Sequence, residues 1–155
     1  MFFLNGAKIT ILLVIFTIFF GVIFGILLAL MRISSNPILK AIAATYIEFI
    51  RGTPIMVQLF IVYYGLSFIG INFPDFPILG SSFNDLMAGV VALSINSAAY
   101  VAEIVRAGIQ AIDKGQMEAA RSLGLNYYMS MKSIILPQAI KNILPALGNE
   151  FIAIL

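Results

Sequence analysis

Long uncharged apolar runs alternate along this chain with short polar stretches that carry Lys and Arg. Residues 9–31 hold no charge and are bracketed by Lys8 and Arg32. At roughly 1.5 Å per residue, a helix of that length crosses the ~30 Å hydrocarbon core of a bilayer with some tilt. The run is too long for the apolar part of a secretory leader, and only Lys8 supplies basic charge ahead of it. A second uncharged run covers residues 55–73. A third covers residues 86–105, interrupted only at Glu103. The fourth begins near Ile134 and places a span over about 136–155. It is still apolar at Leu155, so the expectation is a chain truncated in or after its fourth transmembrane helix.

The polar stretches are punctuation. Asn36-Pro37 reads as a turn and helix start, and residues 37–49, with Lys40 and Glu48, are too interrupted to span alone. Arg51-Gly52-Thr53-Pro54 breaks the chain before the second run, with Pro54 suited to a first helical turn. Residues 72–85, with Pro74, Pro77 and Gly80, read as a loop. Residues 107–135 are polar and predict two short helices. The first runs over 115–123, with Glu118 and Arg121 as an i,i+3 ion pair and Gly124 as its stop. The second runs over 127–135, with Asn126 as N-cap, and Pro137 opens the last span. Gly21, Gly25 and Ala29 lie four apart and form a face that lets another helix approach closely.

Composition agrees with this pattern. Of the 155 residues, 61% are hydrophobic and 10% charged, against about half and about a quarter in soluble domains. The class is an all-α polytopic membrane protein with one transmembrane domain, residues 1–155. With no Cys and no His, disulfides, thiolate nucleophiles and the commonest metal ligands are excluded, and no metal site is expected. No GxxxxGK loop is present, so ATP is not bound by this chain, and enzymatic activity is not expected. No basic run interleaved with aromatics points to nucleic acid. Basic charge is placed by position. Arg32, Lys40 and Arg51 lie between the first and second runs, none lies between the second and third, and Arg106, Lys114, Arg121, Lys132 and Lys141 follow the third. The positive-inside rule then puts the N-terminus outside and residues 107–135 in the cytoplasm.

In that cytoplasmic stretch Glu118-Ala119-Ala120, Gly124, Ile134 and Leu136-Pro137 stand at the spacing of the EAA loop, and the chain resembles the permease subunits of bacterial ABC importers. Arg51-Gly52-Thr53-Pro54 with Gln58, and Gly148-Asn149-Glu150-Phe151, resemble the polar amino acid uptake branch of that family. The resemblance implies the MetI-like permease fold of five helices, working as a dimer in the bacterial cytoplasmic membrane. It implies that Glu118, Ala119, Ala120, Gly124, Leu136 and Pro137 couple to ATPase subunits that bind the ATP. It also implies a second permease subunit, identical or paralogous, and an extracytoplasmic solute-binding protein that delivers an amino acid.

Asn96, Tyr100 and Glu103 recur at i, i+4 and i+7, making one polar stripe flanked by Ser97 and Arg106, and Glu150 lies beside Asn149 in the last run. Carboxylates inside a membrane are costly and face a bundle interior or a wet cavity. Two readings stand. Glu103 or Glu150 recognises the ammonium or cationic side chain of an amino acid, or the acid is a structural partner, as Glu103 is of Arg106. The second suits Glu103 and the first suits Glu150. Two acids lean towards a basic amino acid. The alternative function is a small ion-coupled secondary transporter without an ATPase, which needs an acid deep in an early span, and the first two runs hold none.

Overall fold

The computed structural model describes residues 2–70 and 82–155. Its elements are α1 (Phe2–Ile33), α2 (Pro37–Arg51), α3 (Ile55–Phe68), α4 (Ser82–Gln110), α5 (Lys114–Ser122), α6 (Tyr127–Ser130), a π-helical turn (Met131–Ile135) and α7 (Leu136–Ile154). No strand occurs among the described residues.

The first span is longer than the uncharged run that announced it, because the helix continues through Lys8 and Arg32 at its two ends. Helix α4 lies at the centre: 56% of its membrane-length stretch is buried within the chain, against 22% for that of α1. The two run parallel in a constant register. A Cβ on Gly89 would lie 3.1 Å from Leu13, one on Gly21 2.6 Å from Ser97 Oγ, and one on Gly25 2.6 Å from Val101. Gly21, Gly25 and the fully buried Ala29 are thus the close-approach face that their spacing predicts, and α4 answers with Ser97, Ala98, Val101 and Ala102. Without a hydrophobic driving force inside lipid, contact at this distance is what holds the helices together. The outward faces remain apolar and exposed, as at Phe19, Ile23 and Leu30, which suits hydrocarbon and not water.

Helix α2 starts where the sequence places it. Asn36 Oδ1 accepts from the Ile38 and Leu39 amides at 2.9 and 3.4 Å, and Pro37 takes the first helical position. Its buried face, Ala43, Ile47 and Ile50, meets α1 and α4, with Ala29, Ile47 and Ala102 in one core cluster. The second span differs from the one expected over 55–73, of which residues 71–73 lie outside the described residues. Helix α3 ends at Phe68, and at 14 residues it reaches only about 21 Å. Together, Pro37–Arg51 and Ile55–Leu66 form a pair bent by 103°. The break is supported from within. Gln58 Nε2 donates to the Ile50 carbonyl at 2.7 Å, to Thr53 Oγ1 at 2.7 Å and to the Thr53 carbonyl at 3.1 Å. Backbone groups freed at a bend need such partners in a membrane. By length and composition, two helices among the described residues are fit to cross a bilayer, Gly6–Ile33 and Asp85–Gln110, or three if the bent pair is one span.

Of the loop expected over 72–85, residues 72–81 lie outside the described residues, and the rest is the first turn of α4. Helix α7 runs antiparallel to α4, with a Cβ on Gly108 meeting Ile143 at 2.3 Å. It does not begin afresh at Pro137. Instead α6, the π-helical turn and α7 form one helical path, and the Leu136 amide reaches back to the Met131 carbonyl. Pro137 has no amide to close the α-helical ladder, and the wider turn just before it absorbs that missing donor.

Candidate functional site

Two regions hold the residues singled out by the sequence. The first is the α5 end. Asp113 caps α5, its Oδ1 accepting from the Gly115 amide at 2.7 Å. At the other end the Gly124 amide donates to the Arg121 carbonyl at 3.0 Å, and the Leu125 amide to the Ala120 carbonyl at 3.2 Å. These two bonds are a Schellman stop, which requires a left-handed residue at Gly124, and its φ is +84°. Asn126 then caps α6 through its Oδ1 and the Met129 amide, 2.8 Å apart. The chain turns back on itself and leaves Leu123, Tyr127, Tyr128 and Met129 as a protruding apolar tip, with Leu123 82% exposed.

Glu118 and Ala119 lie exposed on the outer side of α5. Ala120 is 1% exposed, so it packs inward and, unlike Ala119, offers a partner no surface. The ion pair expected between Glu118 and Arg121 is not formed; both residues are exposed. Leu136 and Pro137 are exposed at the start of α7, beyond the π-helical turn.

The second region is a cavity of about 560 Å³ at the bend between α2 and α3, where α4 and α7 close its sides. Arg51, Pro54, Asn96, Tyr100 and Glu150 line it. Its size lies in the ~300–1,000 Å³ range of small-molecule sites. Asn96, 8% exposed, donates through Nδ2 to Gln58 Oε1 at 3.0 Å, which ties the centre of α4 to the bend. The Arg51 guanidinium stands 5.3 Å above the centre of the Tyr100 ring. A somewhat larger cavity, about 620 Å³, lies between α1, α2 and α4, lined by Phe20, Phe24, Met31 and Val90 among others. Ser94 and Tyr46 are its only polar side chains, so it suits hydrocarbon and not a charged solute.

Glu103 does not line the smaller cavity. Arg106 Nε donates to Glu103 Oε2 at 2.9 Å, and a second Arg106 nitrogen bonds Glu103 Oε1, so the acid is held in a two-point pair. Arg106 also bonds Gln110. The structural reading of Glu103 is the one the geometry favours.

Residues 21–155 match the family described as the binding-protein-dependent transport system inner membrane component. The chain belongs to this family. It is 48% identical over 153 residues to the arginine transport system permease protein ArtQ of Bacillus subtilis, covering 99% of this chain and 66% of that protein. It is 42% identical over 152 residues to the putative glutamine transport system permease protein GlnP of Rickettsia bellii, covering 98% of this chain and 66% of that one. A solved structure described as the crystal structure of an amino acid ABC transporter with histidines superposes at a TM-score of 0.86 with 53% identity, over 97% of this chain and 66% of that one. An inward-facing MetNI methionine ABC transporter superposes at 0.71 with 21% identity, over 98% of this chain and 69% of that one, which marks the shared fold. The chain spans about two thirds of the length of these curated relatives.

Membership bears out the all-α MetI-like fold and the ABC permease resemblance, and displaces the ion-coupled secondary transporter. The family is one of inner-membrane transport components, not an enzyme class. Within this permease component, the cavity brings Asn96 and Tyr100 of the polar stripe together with Glu150, and leaves Glu103, the stripe's third member, outside. Sequence reasoning counted Arg51 only as a charge and as part of a family signature. Its place beside a Gly-Thr-Pro break was the available signal that it faces a cavity.

Proposed function

We propose that this chain forms the membrane-spanning pathway of an ATP-driven importer for polar amino acids, coupled through α5 to ATPase subunits on the cytoplasmic side. Support comes from the capped α5 handle, with exposed Glu118 and Ala119 beside an apolar tip, on a chain of this family. The handle offers a partner a shape and no chemistry of its own. The N-terminus lies outside, as charge placement implies, and an extracytoplasmic binding protein delivers the solute. A second permease subunit completes the pathway. Amino acids enter the cavity of Arg51, Asn96, Tyr100 and Glu150, where Glu150 meets the positive charge of the solute. The relatives' names, an arginine and a glutamine system, favour this solute class.

These 155 residues hold no cysteine, so Ala119→Cys, in a full-length permease whose cysteines outside this stretch are replaced by Ser, is a unique probe. A membrane-impermeant maleimide should label it in inside-out vesicles and not in intact cells, and labelling should block ATP-dependent uptake of L-arginine or L-glutamine. Labelling from outside intact cells would refute the placement of α5 and, with it, the coupling role.

A further inference from the structure

The cavity at the bend holds one cationic and one anionic side chain, Arg51 and Glu150. We propose that Arg51 receives the α-carboxylate of the transported amino acid, which rests on reading this cavity as the amino acid site. The donor state of Arg51 carries the assignment. Its guanidinium donates no hydrogen bond among the described residues. The nearest acid oxygen, Glu103 Oε1, is 4.0 Å from Arg51 Nη1, beyond hydrogen-bond reach. Glu103 has both its oxygens engaged by Arg106. Arg51 is therefore partly neutralised by a neighbour that does not use its donors.

The Tyr100 ring holds the guanidinium by a cation–π contact at 5.3 Å, which uses none of its N–H donors. A planar fork of this kind matches a carboxylate in two-point geometry. The rest of the lining suits the other end of a zwitterion. Asn96 donates through its amide nitrogen to Gln58, which leaves its carbonyl oxygen as an acceptor in the cavity that Glu150 also lines. Cation and anion in one cavity, each without a hydrogen-bond partner among the described residues, complement a solute that carries both charges. Arg51 is also the last residue of α2, where the helix dipole favours a cation, so a purely structural role is the competing account.

The test compares an amino acid with the same molecule lacking its carboxylate: L-arginine with agmatine, and L-glutamine with 4-aminobutanamide. Direct binding is measured on the purified full-length permease–ATPase complex without the solute-binding protein, so that no other site contributes selectivity. The wild-type complex should bind the amine more weakly by roughly 30-fold, as loss of charged hydrogen bonds implies. In Arg51→Gln the amino acid should weaken towards the amine while the amine stays unchanged, and Arg51→Lys should keep part of the gap. Equal weakening of both ligands in Arg51→Gln marks a structural role and overturns the assignment. So does wild-type protein that binds the amine as tightly as the amino acid, a comparison that needs no variant to fold. A wild-type complex that binds neither amino acid overturns the underlying reading of the cavity, and the assignment falls with it.

Discussion

At the residue scale, the coupling role proposed for α5 rests at Gly124 on a backbone angle and not on a side chain. A Cβ at Gly124 would meet nothing within 4 Å, so space does not demand glycine. Its φ of +84° does, because the left-handed region costs an ordinary L-residue roughly 1–2 kcal/mol and Asn less. Gly124→Val should therefore loosen the stop of α5 and reduce the amount of ATPase recovered with the full-length permease from membranes, while Gly124→Asn should retain most of it. Retention of ATPase by the valine variant at the wild-type level would remove Gly124 from the coupling role. The sequence disclosed this residue through its position after a helical stretch. It did not disclose that Glu118 and Arg121 stay apart, since i,i+3 spacing permits an ion pair and exposed side chains gain little by forming one.

At the scale of elements, what the sequence made legible was whatever depends on local pattern. The uncharged run ending at Arg32 predicted α1, Asn36-Pro37 predicted the start of α2, and Gly21, Gly25 and Ala29 predicted a close helix contact. Hidden were the features made by distant residues. The 103° bend depends on Gln58 reaching back to the Ile50 carbonyl and across to Asn96, and hydropathy counts Gln58 only as one polar residue in an apolar run. The cavity unites Arg51, Asn96 and Glu150 from three helices, and Arg51 entered the sequence reading only as a charge and as part of a family signature. The α1–α4 contact yields a sharp test. Gly25→Leu forces a side chain into Val101 and should destabilise the detergent-solubilised protein by about 1–3 kcal/mol, read as a lower unfolding temperature. Gly65→Ala in α3, where a Cβ meets nothing, should be neutral or slightly stabilising. Equal behaviour of the two variants would mean that α1 and α4 do not approach this closely.

At the scale of the whole molecule, the handle and the cavity lie on one continuous helical path. From Tyr127 through the π-helical turn to Glu150 the backbone stays helical, so under the proposed coupling a displacement of α6 would reach the wall of the cavity along this one path. Between Leu136 and Glu150 that element extends about 21 Å. The turn before Pro137 is the compliant point in it, since its backbone bonds are the wider i→i−5 kind. Side-chain bonds brace the flanks: Ser130 Oγ donates to the Asn126 carbonyl at 2.9 Å, and Gln138 Nε2 to the Ile134 carbonyl at 2.9 Å. Pro137→Ala restores the missing donor and favours an ordinary α-helical turn, which rotates α6 and α5 relative to α7. ATPase binding should survive, because the surface of α5 is unchanged. Transport should fall by roughly fivefold or more, the lower end of ordinary coupling between sites. The measurement is a ratio, ATP hydrolysed per amino acid taken up by the reconstituted full transporter, and it should rise in the variant. An unchanged ratio together with unchanged uptake would show that the turn is a passive accommodation of proline, and would remove it from the proposed coupling path.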